Sequence, residues 1–230
     1  MNMKLAAIIL ARYFVFIETV ELNPKGQAFF PELVMALVNR YGFVKFPQKT
    51  EDYDETKGVV FQGGRMGNVT VAQIQVFNHA TVVDTASSTD DSERFFNEAL
   101  TWLSKDFGIA YRPEMVRRKT YVSQISFYSD IVLPKLHPAI SRLADHLSVR
   151  VPEYYMQPLK YQPSGLIVGY DPQTVKTGPS AFTIEPRADS LFEEHKYFSS
   201  APLPTNEHIA LLEQFEKDVN DFNARVAFRS

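Results

Sequence analysis

Cysteine is absent from all 230 residues. Disulfides, thiolate metal sites, iron–sulfur clusters and cysteine nucleophiles are therefore excluded. A surplus of basic charge, the mark of a sequence-independent nucleic-acid coat, is also lacking. Lys plus Arg number 24 against 27 for Asp plus Glu, a formal charge of −3. No uninterrupted apolar run approaches the roughly 18 residues of a membrane span. What is present is the balance of an ordinary globular protein, 45% hydrophobic and 22% charged, which rules out a disordered chain.

Reactive motifs are missing too. There is no GxSxG elbow, no GxxxxGK[ST] phosphate loop, no GxGxxG and no HExxH. His79, His137, His146, His195 and His208 do not fall at spacings that would set two imidazoles on one metal. No cofactor and no metal are expected. The opening MNMKLAAIILARYFVFIE has the outline of a signal peptide, but Arg12 interrupts it and no small-x-small cleavage site follows. The expectation is a cytoplasmic protein without a membrane association.

Patterning predicts alternating strands and helices. Tyr13 to Ile17 is aromatic and β-branched, so 12–20 reads as a buried strand. Phe30, Leu33, Val34, Leu37, Val38 and Tyr41 recur at helical spacing, with Pro31 in the first turn and Gly42 as a stop. A loop over 43–57 carries the acidic run Glu51-Asp52-Tyr53-Asp54-Glu55. Three short strands follow, joined through Gly63-Gly64-Arg65-Met66-Gly67-Asn68 and Asn78-His79. The Val69/Val71 and Ile74/Val76 pairs differ in phase, which predicts a bulge near Ala72-Gln73. Thr89 to Glu93 opens a helix, with Asp90 and Glu93 at capping-box spacing. Phe95, Phe96, Ala99, Trp102, Leu103 and Phe107 form its apolar stripe, and Gly108 its C-cap.

The second half repeats that order: a strand over 120–128, a helix through Leu136, Ile140, Leu143, Ala144 and Leu147, then a Pro- and Tyr-rich loop over 151–163. Strands are expected at 166–168, 181–184 and 194–198. A last helix follows, N-capped by Thr205 and striped by Ile209, Leu212, Phe215, Val219 and Phe222.

The fold class expected is α+β, with an internal duplication of a βαβββα unit. Residues 1–110 and 111–230 would be its two copies, fused into an extended antiparallel sheet with helices packed on one face. Phe16 and Ile125 would be equivalent, as would Ile74 and Ile184. An irregular α+β domain is the alternative. In the order of its elements the chain resembles the TATA-binding protein family, with its duplicated saddle. The resemblance lies in element order alone, and a shared architecture carries no function with it.

Two segments stand out as contact candidates. Arg112, Arg117, Arg118 and Lys119, with Glu114, give 111–119 a net charge of +3, suited to phosphates or an acidic partner. Tyr154 and Tyr155 lie in a proline-bordered segment with Met156, residue types enriched at protein interfaces. The competing reading has these tyrosines covering the adjacent sheet and helix. Arg65, in the glycine-rich connection, is a further candidate for an anion, although a plain hairpin accounts for its glycines. The acidic helix start fits capping better than a metal site. Glu193-Glu194-His195 would alternate sides in a strand, so the three would not converge.

These observations point to a non-enzymatic binding or scaffolding protein that recognises another macromolecule, most readily a protein partner or a second copy. The alternatives are a nucleic-acid binder using the sheet face with Arg65 and the 111–119 segment, and a hydrolase-type enzyme whose site is assembled from residues distant in sequence.

Overall fold

The computed structural model describes residues 3–26, 28–54, 56–131, 133, 136–175 and 178–227. Mixed helix and strand is what it contains. Eight strands hydrogen-bond in the order β2-β3-β4-β1-β5-β8-β7-β6 as one antiparallel sheet. They are β1 (Lys4–Phe16), β2 (Val59–Met66), β3 (Val69–Val76), β4 (Ala80–Thr85), β5 (Arg118–Tyr128), β6 (Leu166–Val168), β7 (Phe182–Pro186) and β8 (Lys196–Ala201). The helices are α1 (Thr19–Leu22), α2 (Phe30–Tyr41), α3 (Thr89–Phe107), α4 (Pro138–Tyr155) and α5 (Thr205–Ala227). Among the described residues no helix is long and apolar enough to cross a membrane.

By contacts the chain divides into two compact units: Ile8–Gln124 with Pro202–His208, and Met1–Ala7 with Ile125–Ala201 and Ile209–Ser230. In the first, the β1 residues Ala11, Tyr13 and Val15 alternate inward, and Tyr13 sets its ring between Phe96 and Tyr121 at 5.7 and 5.6 Å. α2 buries Leu33, Val34 and Tyr41 and ends on Gly42 at φ 67°, the left-handed geometry that glycine adopts without a Cβ penalty. α3 buries Phe95, Phe96, Ala99 and Leu103 and ends on Gly108 at φ 71°. The expected bulge is present: β3 shifts register against β4 between Val71 and Gln73. Within β2, Gly64 lets the Phe43 ring lie on the strand, since a Cβ there would meet that ring at 2.4 Å.

The second unit is built on Ile125 and Phe127 of β5, Ile184 of β7, Tyr197 of β8, and Leu212 and Val219 of α5. Tyr197 donates its hydroxyl to the Ile131 carbonyl at 2.6 Å. The buried Glu216 carboxylate accepts from the Met3 and Asp130 amides and from the Ser129 hydroxyl.

Several expectations need correction. β1 begins at Lys4 and ends at Phe16, and Thr19–Leu22 turns into a helix rather than extending the strand. The α3 N-cap is Ser88, whose hydroxyl accepts from the Asp91 amide, so Asp90 and Glu93 form no capping box. Glu93 instead meets Lys119 and Tyr121. The 151–163 loop is helical through Tyr155, because Pro152 is accommodated inside α4 and the helix ends on Met156 at φ 54°. Residues Phe192–Glu194 form a 3-10 turn, and β8 starts only at Lys196. Gly63 to Met66 belong to β2, leaving Gly67-Asn68 as the hairpin turn. Of the 51–55 run, Thr50–Tyr53 is a 3-10 turn and Glu55 lies outside the described residues.

Candidate functional site

The basic segment reaches β5 through a 3-10 turn at Pro113–Met115. Its cations are largely engaged within the first unit. Arg117 donates to Glu18 at 2.8 Å and to Glu21 at 3.0 Å. Lys119 donates to Glu93 at 2.9 Å, which raises its pKa. Arg118 lies over the Phe16 ring, 4.0 Å from its centroid. Arg112 is exposed ahead of the turn, and Arg65 is exposed on β2 opposite Thr70. The structure therefore gives Arg117, Arg118 and Lys119 separate local partners.

Tyr154 and Tyr155 occupy the last turn of α4. Their side chains are 82% and 67% exposed, so they do not cover the adjacent sheet and helix. The whole helix shares that character. Ala144 is its only buried residue, and the stripe Ile140, Leu143, Leu147 faces outward. At 100° per residue Tyr154 falls on the same arc. Arg142, His146 and Arg150, all exposed and spaced by four, form a basic ridge beside it.

A large apolar concavity lies elsewhere and was not anticipated from the sequence. Within the first unit, a cavity of about 510 Å³ is bounded by α1, α2, α3 and the facing strands. Its walls are apolar, among them Leu33 and Leu37 of α2, Ile74 of β3, Val83 of β4, and Ala99 and Leu103 of α3. Glu18, Thr19, Asn23, Asn78, His79 and Thr81 supply its polar edge. That edge is tied together. Thr19 donates both its amide and its hydroxyl to the Asn78 carbonyl, at 2.9 and 2.8 Å, and His79 Nδ1 meets Glu18 Oε2 at 2.5 Å. Sealed and dry, such a volume would cost about 12 kcal/mol at roughly 24 cal/mol per Å³, comparable to the whole stability of a domain.

A second cluster of polar groups sits where α3 and α5 begin. The Thr89 amide donates to the Thr205 hydroxyl at 3.1 Å, and the Thr205 amide donates to the Thr89 hydroxyl at 2.9 Å. Beside it His208 is fully buried, and burial pushes its pKa down to about 4 against a backbone hydrogen bond with Ser123. Among the described residues no three His, Asp or Glu side chains gather as a metal-binding set. No protein-family model matches the chain, and no curated protein matches it.

Proposed function

We propose that the chain is a non-enzymatic binding protein that recognises another protein, with α4 as the contact element. The observation that supports this reading is the outward apolar stripe of Ile140, Leu143, Leu147 and Tyr154, on a helix that buries only Ala144. Contiguous exposed apolar surface on a globular protein marks an interaction face. The basic ridge of Arg142, His146 and Arg150 beside the stripe favours a partner surface that is apolar and carries acidic groups.

The nucleic-acid alternative has less support. It needs Arg65, Arg117, Arg118 and Lys119 as one free cationic patch, whereas Arg117 and Lys119 are held by Glu18, Glu21 and Glu93.

The internal duplication is also a proposal. It is supported by the two element runs, β1-α2-β2-β3-β4-α3 and β5-α4-β6-β7-β8-α5, which match once the four-residue α1 is set aside, and by the strand order, which reads 2-3-4-1 and then 5-8-7-6. The ends of β4 and β8 and the starts of α3 and α5 are each 116 residues apart. The mutual Thr89–Thr205 hydrogen bonds join two such corresponding positions.

Affinity purification with nuclease present, using the wild type and the Leu143→Glu/Leu147→Glu variant side by side, tests the function. A partner that survives nuclease and is lost with the variant is expected. Loss of every partner on nuclease treatment, or an unchanged set with the variant, would overturn the reading.

A further inference from the structure

Cavities of about 300–1,000 Å³ are those in which proteins enclose small ligands, and the one under α2 and α3 holds about 510 Å³. Close-packed interiors leave few voids larger than a water molecule, so this volume is not ordinary packing slack. Water entering it would find few polar partners, because only Glu18, Thr19, Asn23, Asn78, His79 and Thr81 of its lining carry polar side chains. The bulk of a suitable occupant must therefore be hydrocarbon or aromatic, with its polar end at that edge.

Charge at the edge narrows the choice of polar end. Glu18 lies there with one oxygen on His79 and the other on Arg117, and Arg117 is shared with Glu21. Two carboxylates thus stand against one guanidinium. A carboxylate or phosphate head would meet like charge at this mouth, and its approach would require breaking the Glu18 pairs. An uncharged hydroxyl or carbonyl head needs neither, and the neighbouring Asn78 and Thr19 offer neutral polar groups.

We infer that the cavity of the 8–124 unit is a binding site for one small apolar molecule with an uncharged polar head, such as a medium-chain alcohol, rather than for a fatty-acid anion. This site is separate from the α4 face and does not depend on it.

The test uses the full chain and the uncharged fluorescent probe N-phenyl-1-naphthylamine, displaced by 1-dodecanol or by dodecanoate at pH 8. Saturable binding at one site is expected, with dodecanol at least tenfold tighter than dodecanoate. Ala99→Phe, which places a ring inside the cavity, should weaken probe binding at least tenfold while the far-ultraviolet circular dichroism is kept. Where Ala99→Phe fails to fold, Glu18→Gln decides, since it should narrow the alcohol-to-carboxylate gap. Leu143→Glu/Leu147→Glu should bind the probe as the wild type does. The inference is overturned by an absence of saturable binding, by unchanged binding in a folded Ala99→Phe, or by loss of the probe in the α4 variant. Dodecanoate binding as tightly as dodecanol, or a gap that Glu18→Gln leaves unchanged, overturns the assignment of an uncharged head.

Discussion

His208 shows how much a single side chain depends on its surroundings. It was one of five histidines with no pattern to distinguish it, yet it is fully buried at the start of α5. Burial penalises the imidazolium, and the folded-state pKa falls to about 4 from an ordinary 6.5. Between those values the unfolded chain binds a proton that the folded chain does not, so stability declines as pH drops through 6.5 toward 4. The full contribution is present above that window. Urea unfolding at pH 7.5 and 4.5 should show the wild type losing about 2–3 kcal/mol more than His208→Gln, which removes the titrating group. Equal losses in both proteins would mean that His208 ionises as easily folded as unfolded. The basic residues give a second lesson at this scale. Arg117 and Lys119 read as a free cluster because Glu18, Glu21 and Glu93 lie 99, 96 and 26 residues away in sequence. No local pattern announces such partners.

Among the elements, α2 and α4 have the same kind of sequence stripe and opposite fates. Helical periodicity reports which residues share a face, not whether another element covers that face. Leu33 and Val34 of α2 are buried, whereas Leu143 and Leu147 of α4 are not covered. Val34→Ala should accordingly cost about 1–3 kcal/mol in chemical denaturation, and Leu143→Ala within about 0.5 kcal/mol. A large loss at Leu143 would show that α4 has a covering element after all. The same distinction explains what could be read in advance. α2 and α3, their glycine caps, the β3 bulge and the α+β class were legible, because each rests on a local period or a local steric rule. The end of α4 was not, since Pro152 is ordinarily a stop and here sits within the helix. The cavity was invisible for a similar reason. Leu33, Leu37, Ala99 and Leu103 sit where core residues belong, and only the folded chain shows that they also line a cavity.

At the scale of the whole molecule, the two compact units are unequal in what holds them. Among the described residues a cluster of sixteen buried hydrophobic side chains runs through the first, from Tyr13 and Val15 of β1 to Phe95, Phe96 and Ala99 of α3. α4 in the second unit contributes one buried residue. Local opening follows the number of apolar contacts that must be broken. Amide hydrogen exchange should therefore be slowest in β1 from Ala11 to Phe16 and in β4, and α4 should exchange at least a hundredfold faster. Uniform protection across both would show that the molecule opens only as a whole.

The chain moves between its units more than once. β1 starts in one at Lys4 and finishes in the other at Phe16, and Pro202–His208 returns to supply Thr205 and His208 to the unit that ended at Gln124. A cut between Gln124 and Ile125 yields no fragment holding every segment of either unit. A fragment stopping at Gln124 leaves the Thr89 amide without its hydroxyl acceptor, and one beginning at Ile125 lacks the Met3 amide that Glu216 binds. A gene split at the midpoint therefore encodes two partial objects, and a stop codon anywhere before His208 leaves the unit that begins at Ile8 incomplete.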